Sequence, residues 1–196
     1  MAIGRGVTLS LFICLSAILF SGVVKVVHAY NVFGCRWENS TVYYYYDNYN
    51  SSRGKFYIDI GADGWDSTDI NFASDTAGNY NIYCGETNNP NVAWEGITDY
   101  TVTIGYIEGS ATIQINMAQT KTWNDDGALQ WVAIHEFGYA LSLAHAENAR
   151  AIMNPYTWGE NSRYGDFGIT TIQADDVNGA NSLYGRRWLG WQEIEK

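Results

Sequence analysis

Apolar and polar positions change period several times along the chain, and each change marks an element. Val42 to Tyr46, with four consecutive tyrosines at 43–46, has strand composition, and successive side chains of a strand point to opposite faces, so one tyrosine face is buried. Asp47 to Ser52 breaks this strand, and Ser51 or Ser52 caps the next element. Between Arg53 and Ser74 the period is mixed: Ile58, Ala62 and Trp65 stand at helical spacing, while Phe56, Ile58 and Ile60 alternate. This predicts a helix over 54–66, with Gly61 and Gly64 inside it, and then a strand near 69–73 carrying Ile70 and Phe72. Residues 79–84 read as another strand, 85–90 as a loop, and 101–104 and 112–116 as two further strands, with Gly105 and Gly109-Ser110 as breaks. Asn124-Asp125-Asp126 then opens a helix with a cap and acidic charge at its positive end. Its stripe of Leu129, Val132, Ala133, Phe137, Ala140 and Leu141 buries one side against a sheet, and His135 and Tyr139 lie on the edge of that stripe, facing a cleft. The run from Thr171 to Gly185 reads as a last helix, with acids near its start and Gly185 just beyond its end.

Residues 1–29 stand apart. Arg5, the apolar run from Val7 to Val24 and the small residue Ala29 have the order of a secretory signal, which makes the protein secreted; a membrane anchor is the competing reading, diluted by Ser10, Ser16, Ser21 and Gly22. Residues 30–196 then form one domain. They contain no internal repeat, low-complexity tract or linker, so a single α+β domain is the economical architecture. Removing Arg5 and Lys25 with the signal leaves 9 basic against 21 acidic residues, a formal charge of −12. Such a surface repels phosphate backbones and argues against a nucleic-acid partner. It also suits bound calcium, although no EF-hand spacing is present. Cys14 lies in the signal, so Cys35 and Cys84 remain. In an oxidising compartment they predict one disulfide, worth about 4 kcal/mol by the chain-entropy model, with two separate free thiols as the competing reading.

Chemistry concentrates in His135-Glu136-Phe137-Gly138-Tyr139-Ala140-Leu141-Ser142-Leu143-Ala144-His145. His-Glu on a helix, with a second His ten positions after the first, reads as a zinc-protease helix and the turn that leaves it. An imidazole holds a metal while the adjacent carboxylate accepts a proton from water. The pattern calls for another His four residues after His135, one helical turn on, and Tyr139 occupies that position. It calls for Gly at Ser142, where the helix must end sharply. If Ser142 takes a positive φ, the cost is about 1–2 kcal/mol.

These pieces, together with Cys35-Arg36-Trp37, Ile152-Met153-Asn154-Pro155, Asp175 to Gly179 and Leu183-Tyr184-Gly185, resemble in order the matrixins, the matrix-metalloprotease branch of the metzincin zinc endopeptidases. The resemblance implies a twisted, mostly parallel five-stranded sheet with three helices and a cleft over the central helix. It implies zinc held by His135 and His145, with Tyr139 standing in the place of the second ligand, and Glu136 as general base. Met153 matches the Met-turn residue beneath the metal, Pro155 falls in the wall of the pocket for the residue after the cut bond, and Asp175 and Asp176 tie the last helix to neighbouring backbone. The partner is a protein or peptide, handled by a monomer free of the membrane once the signal is removed. The resemblance leaves two functions open: a zinc endopeptidase impaired by Tyr139 and Ser142, or a non-catalytic fold that grips peptides in the old cleft.

Overall fold

The computed structural model describes residues 30–47, 51–75, 78–148 and 150–185; the signal reading of 1–29 lies outside them. Strand β1 (Asn31–Val32) precedes β2 (Thr41–Tyr46), in which Val42, Tyr44 and Tyr46 point inward and Tyr43 is exposed, so the tyrosine run splits between two faces. Helix α1 (Ser52–Asp63) is capped by the Ser51 hydroxyl, which accepts from Gly54 N at 3.0 Å. It tolerates Gly61 because the glycine lies against α3: a Cβ there would come within 2.9 Å of the Ala133 backbone. Strands β3 (Asn71–Ser74), β4 (Ile82–Thr87), β5 (Gly96–Thr103) and β6 (Tyr106–Asn116) come next. They complete a five-stranded sheet in the order β3-β2-β4-β6-β5, in which every pair is parallel except β5 with β6.

The strands differ from expectation in extent. Residues 85–87, read as loop, continue β4, because β6 pairs with them through Asn116. The segments expected at 101–104 and 112–116 belong to one long hairpin without facing each other: 101–103 pair with 106–108 next to the turn, and 112–115 pair with 96–99 at the open end. Ile104 (φ 47°) and Gly105 (φ 79°) form its two-residue turn, where positive φ at both positions matches the right-handed twist of the flanking strands. Gly109 (φ 71°) does not end β6; it lies opposite the register shift between Asp99 and Thr101 and is absorbed as an irregularity of the ladder.

A single helical turn, α2 (Thr120–Trp123), leads into α3 (Asp126–Ala140), and α4 (Ala174–Tyr184) follows, so the described residues form four helices where three were expected. Helix α3 is buried on nearly every side and not along one stripe: Trp131, Ile134, His135 and Glu136 are covered as well. The sheet, α1 and the segment around Ile152 enclose it together. Two tryptophans satisfy its carbonyls, Trp65 Nε1 donating to Ile134 O (3.0 Å) and Trp37 Nε1 to Ala140 O (2.8 Å).

The N-cap of α3 is Asp125, which accepts from Ala128 N (3.0 Å) and from the Tyr164 hydroxyl (2.5 Å). These bonds, Tyr164 first, hold its carboxyl below the ordinary 3.8. A depressed acid contributes stability above its unfolded value and loses it as pH falls through the folded one. Asp125→Ala should therefore cost about 1 kcal/mol at neutral pH. Urea unfolding should show the gap to wild type narrowing below pH 3.8; a gap independent of pH would contradict this.

The predicted disulfide is not formed. Cys35 and Cys84 are both free, buried thiols that fill separate places. Cys84 lies in β4 between β2 and β6, where burial raises its pKa, and the Cys35 sulfur lies 2.9 Å from Ser142 Oγ and 3.9 Å from Tyr100 Oη. Among the described residues, no helix is long and apolar enough to cross a membrane.

Candidate active site

Helical periodicity stacks His135 and Tyr139 on one face of α3, their ring centroids 4.8 Å apart. The helix then stops. Leu141 N reaches back to Phe137 O, and Ser142 turns the chain with φ 70°, the left-handed conformation for which a glycine was expected. Strand β7 (Leu143–Ala144) pairs antiparallel with β1, and Asn31 Nδ2 donates to His145 O (2.9 Å), which sets His145 beside the other two rings. The His135 and His145 centroids are 5.5 Å apart. Two imidazoles sharing one tetrahedral ion through nitrogens about 2 Å from it would have centroids roughly 5 Å apart, so the pair is spaced for a metal.

The donor atoms are less uniform than the spacing. His135 Nδ1 lies 2.9 Å from Ile152 O, and as a donor there it leaves the Nε2 lone pair free. Burial and then the Arg163 charge hold both histidines below their usual value, His135 well below, so both are neutral near pH 7. Tyr139 Oη touches His145 Nε2. Burial, and after it Glu136, raises the Tyr139 phenol, whereas a phenol binds zinc well only as phenolate. The two imidazoles therefore fit a metal better than the third position does. Among the described residues no group of three or more His, Cys, Asp and Glu side chains could hold a metal.

Glu136 is 4% exposed. Thr98 on β5 donates to its Oε2 at 2.7 Å, with the Glu136 carbonyl 3.0 Å from the same hydroxyl. Burial pushes the carboxyl up to about 8 against the pull of Thr98. Gly96 lets β5 come this close, since a Cβ there would lie 2.7 Å from Glu136 Cγ and Oε1. On one side of the carboxyl a cleft of about 730 Å³ opens, lined by Phe33, Thr98, Tyr100, Val102 and Tyr139. On the other, His135, Glu136, Glu95, Trp131, Pro155 and Thr157 line a hollow of about 260 Å³.

Met153 is buried, and a Cβ on Gly138 would strike its sulfur. Asp176 accepts from Ile152 N (2.8 Å) and Met153 N (3.1 Å), joining α4 to this segment. Sequence reading missed Gly96, Thr98 and Arg163. Thr98 was hidden because β5 begins five residues earlier than the predicted strand. Nothing in the sequence marks Arg163, a solitary basic residue in an irregular segment.

Over residues 36–185 the chain matches the family model described as Matrixin. It is 38% identical over 69 residues to human neutrophil collagenase, covering 33% of this chain and 14% of the collagenase. It is 38% identical over 71 residues to human matrix metalloproteinase-27, covering 34% and 13%. It is 46% identical over 54 residues to macrophage metalloelastase of Oryctolagus cuniculus, covering 28% and 11%. The aligned stretch is thus 11–14% of the length of these relatives.

Proposed function

This chain belongs to the matrixin family, and from that premise we propose that it is a secreted endopeptidase that cuts extended peptide segments laid along the β5 edge of the cleft. The observation that carries the reading is the convergence of His135, Tyr139 and His145 within 5.5 Å between ring centroids, directly beside the buried Glu136 carboxyl. His135 and His145 would hold zinc through imidazole nitrogens, with Tyr139 completing the set as phenolate. Bound there, the ion supplies Lewis acidity toward water and the scissile carbonyl. The chain does the rest. β5 is the outer strand of the sheet, and its free backbone groups can pair with an extended peptide. Thr98 pins Glu136 Oε2, leaving Oε1 to take a proton from water and hand it to the leaving nitrogen. Pro155 and Trp131 wall the hollow that receives the residue after the cut. Secretion is supported by the signal pattern of residues 1–29. Protein purified without chelators should carry near-stoichiometric zinc and cleave casein in a phenanthroline-sensitive manner; absence of both would overturn the proposal.

A second reading, a peptide-gripping fold without catalysis, is favoured by one contact. The Tyr139 hydroxyl touches His145 Nε2 and, as the donor there, occupies the lone pair a metal needs. Little zinc and intact peptide binding would support it. Tyr139→His removes that contact and restores a third imidazole at the right helical spacing, and should raise zinc affinity by about 10–100-fold. Competition against a chromophoric chelator measures this, and unchanged affinity would place the weakness elsewhere in the site.

A further inference from the structure

Arg163 is fully buried, 0% exposed, and its side chain reaches the Ile152 carbonyl and the Trp131 ring beside His135. Its Nη1 donates to Ile152 O, the same carbonyl that lies 2.9 Å from His135 Nδ1 and accepts from Trp131 Nε1 at 3.1 Å. Its Cζ stands 3.9 Å from the centroid of the Trp131 ring, which is in turn 4.8 Å from the His135 ring. Nε and Nη2 find no hydrogen-bond partner among the described residues. The backbone at this residue is tied on both sides, Arg163 N to Tyr156 O (3.2 Å) and Ile169 N to Arg163 O (3.0 Å), so the side chain has little freedom to withdraw.

A guanidinium in this position is costly to bury, and it would repel a divalent cation held by the neighbouring imidazoles across a medium of low dielectric where salt screens weakly. We propose that Arg163 is a resident cation that weakens the grip of the His135–Tyr139–His145 site on divalent metal, making zinc occupancy dependent on supply. The inference rests on the proposal that these residues form a metal site. It deepens that proposal by naming the group that tunes the affinity. The aromatic face of Trp131 and the Ile152 carbonyl stabilise the charge from one side, and the same carbonyl orients His135. Arg163 therefore acts through two opposed effects, a repulsion felt by the metal and a support felt by its ligand.

Zinc titration in competition with a chromophoric chelator, with circular dichroism to check folding, separates these effects. Arg163→Met should bind zinc about 10–100-fold more tightly than wild type, while Arg163→Lys, which keeps the charge, should stay within a few-fold of wild type. If the Met variant does not fold, Arg163→Gln retains a donor for Ile152 O and serves the same comparison. An uncharged variant no tighter than wild type, while His135→Ala weakens binding, would overturn the role of Arg163 and leave the metal site standing. Zinc binding by none of these proteins, Tyr139→His included, would overturn both.

Discussion

Glu136→Ala should lower peptide hydrolysis by about 10²–10⁴-fold, the usual worth of a positioned general acid–base group, while leaving zinc content unchanged. The carboxyl precedes the turn of helix that carries Tyr139 and comes one residue after His135, so it flanks the rings without being among the proposed ligands. Its position is over-determined: Thr98 holds Oε2 and the Glu136 carbonyl with one hydroxyl, and Gly96 removes the Cβ that would displace Oε1. Burial keeps its pKa near 8, within reach of a group that must both accept and release a proton near neutrality. Glu136→Gln preserves the shape and the Thr98 bond but removes the exchangeable proton, so it should be as inactive as the Ala variant. A casein assay on metal-loaded protein decides. If either variant keeps wild-type turnover, the proton is moved by another group.

How much of this site could be read from sequence depended on whether each residue acts locally. His135 and Tyr139 share a face because of the 3.6-residue period, which spacing alone gives, whereas the positive φ at Ser142 was expected from the motif pattern, which calls for Gly where the helix stops. The tie from Asp176 to neighbouring backbone was implied by the matrixin resemblance; the residue sits three positions into a helix with a capping box and reaches the Ile152 segment from that fixed point. The parts that escaped are long-range. Thr98 meets Glu136 only because the β5–β6 hairpin is longer than its apolar core suggests, with polar residues at 98, 99 and 101 paired into the ladder. The cysteines share no bridge because one is consumed by the centre of the sheet and the other by the turn at Ser142. The helix stripe was too narrow because a helix enclosed by a sheet, a second helix and an irregular segment has no solvent face to reveal its orientation.

Asp176→Ala should destabilise the protein by about 4 kcal/mol. The carboxyl is 1% exposed, and its oxygens accept from Ile152 N, Met153 N and Gln173 N at 2.8, 3.1 and 2.8 Å. Alanine leaves the buried Ile152 and Met153 amides without an acceptor, each costing about 1–3 kcal/mol. The same carboxylate also supplies the field that favours the Arg163 charge, so its loss strands a buried cation. These two losses can be told apart. If the field matters, adding Arg163→Met to Asp176→Ala should destabilise by clearly less than the sum of the single changes, because the stranded charge is gone; if only the amides matter, the two changes should add. Urea unfolding of the two single variants and the double variant measures the coupling. An Asp176→Ala protein within about 1 kcal/mol of wild type would mean that water replaces the carboxylate at Ile152 and Met153, and that the floor of the site does not depend on α4.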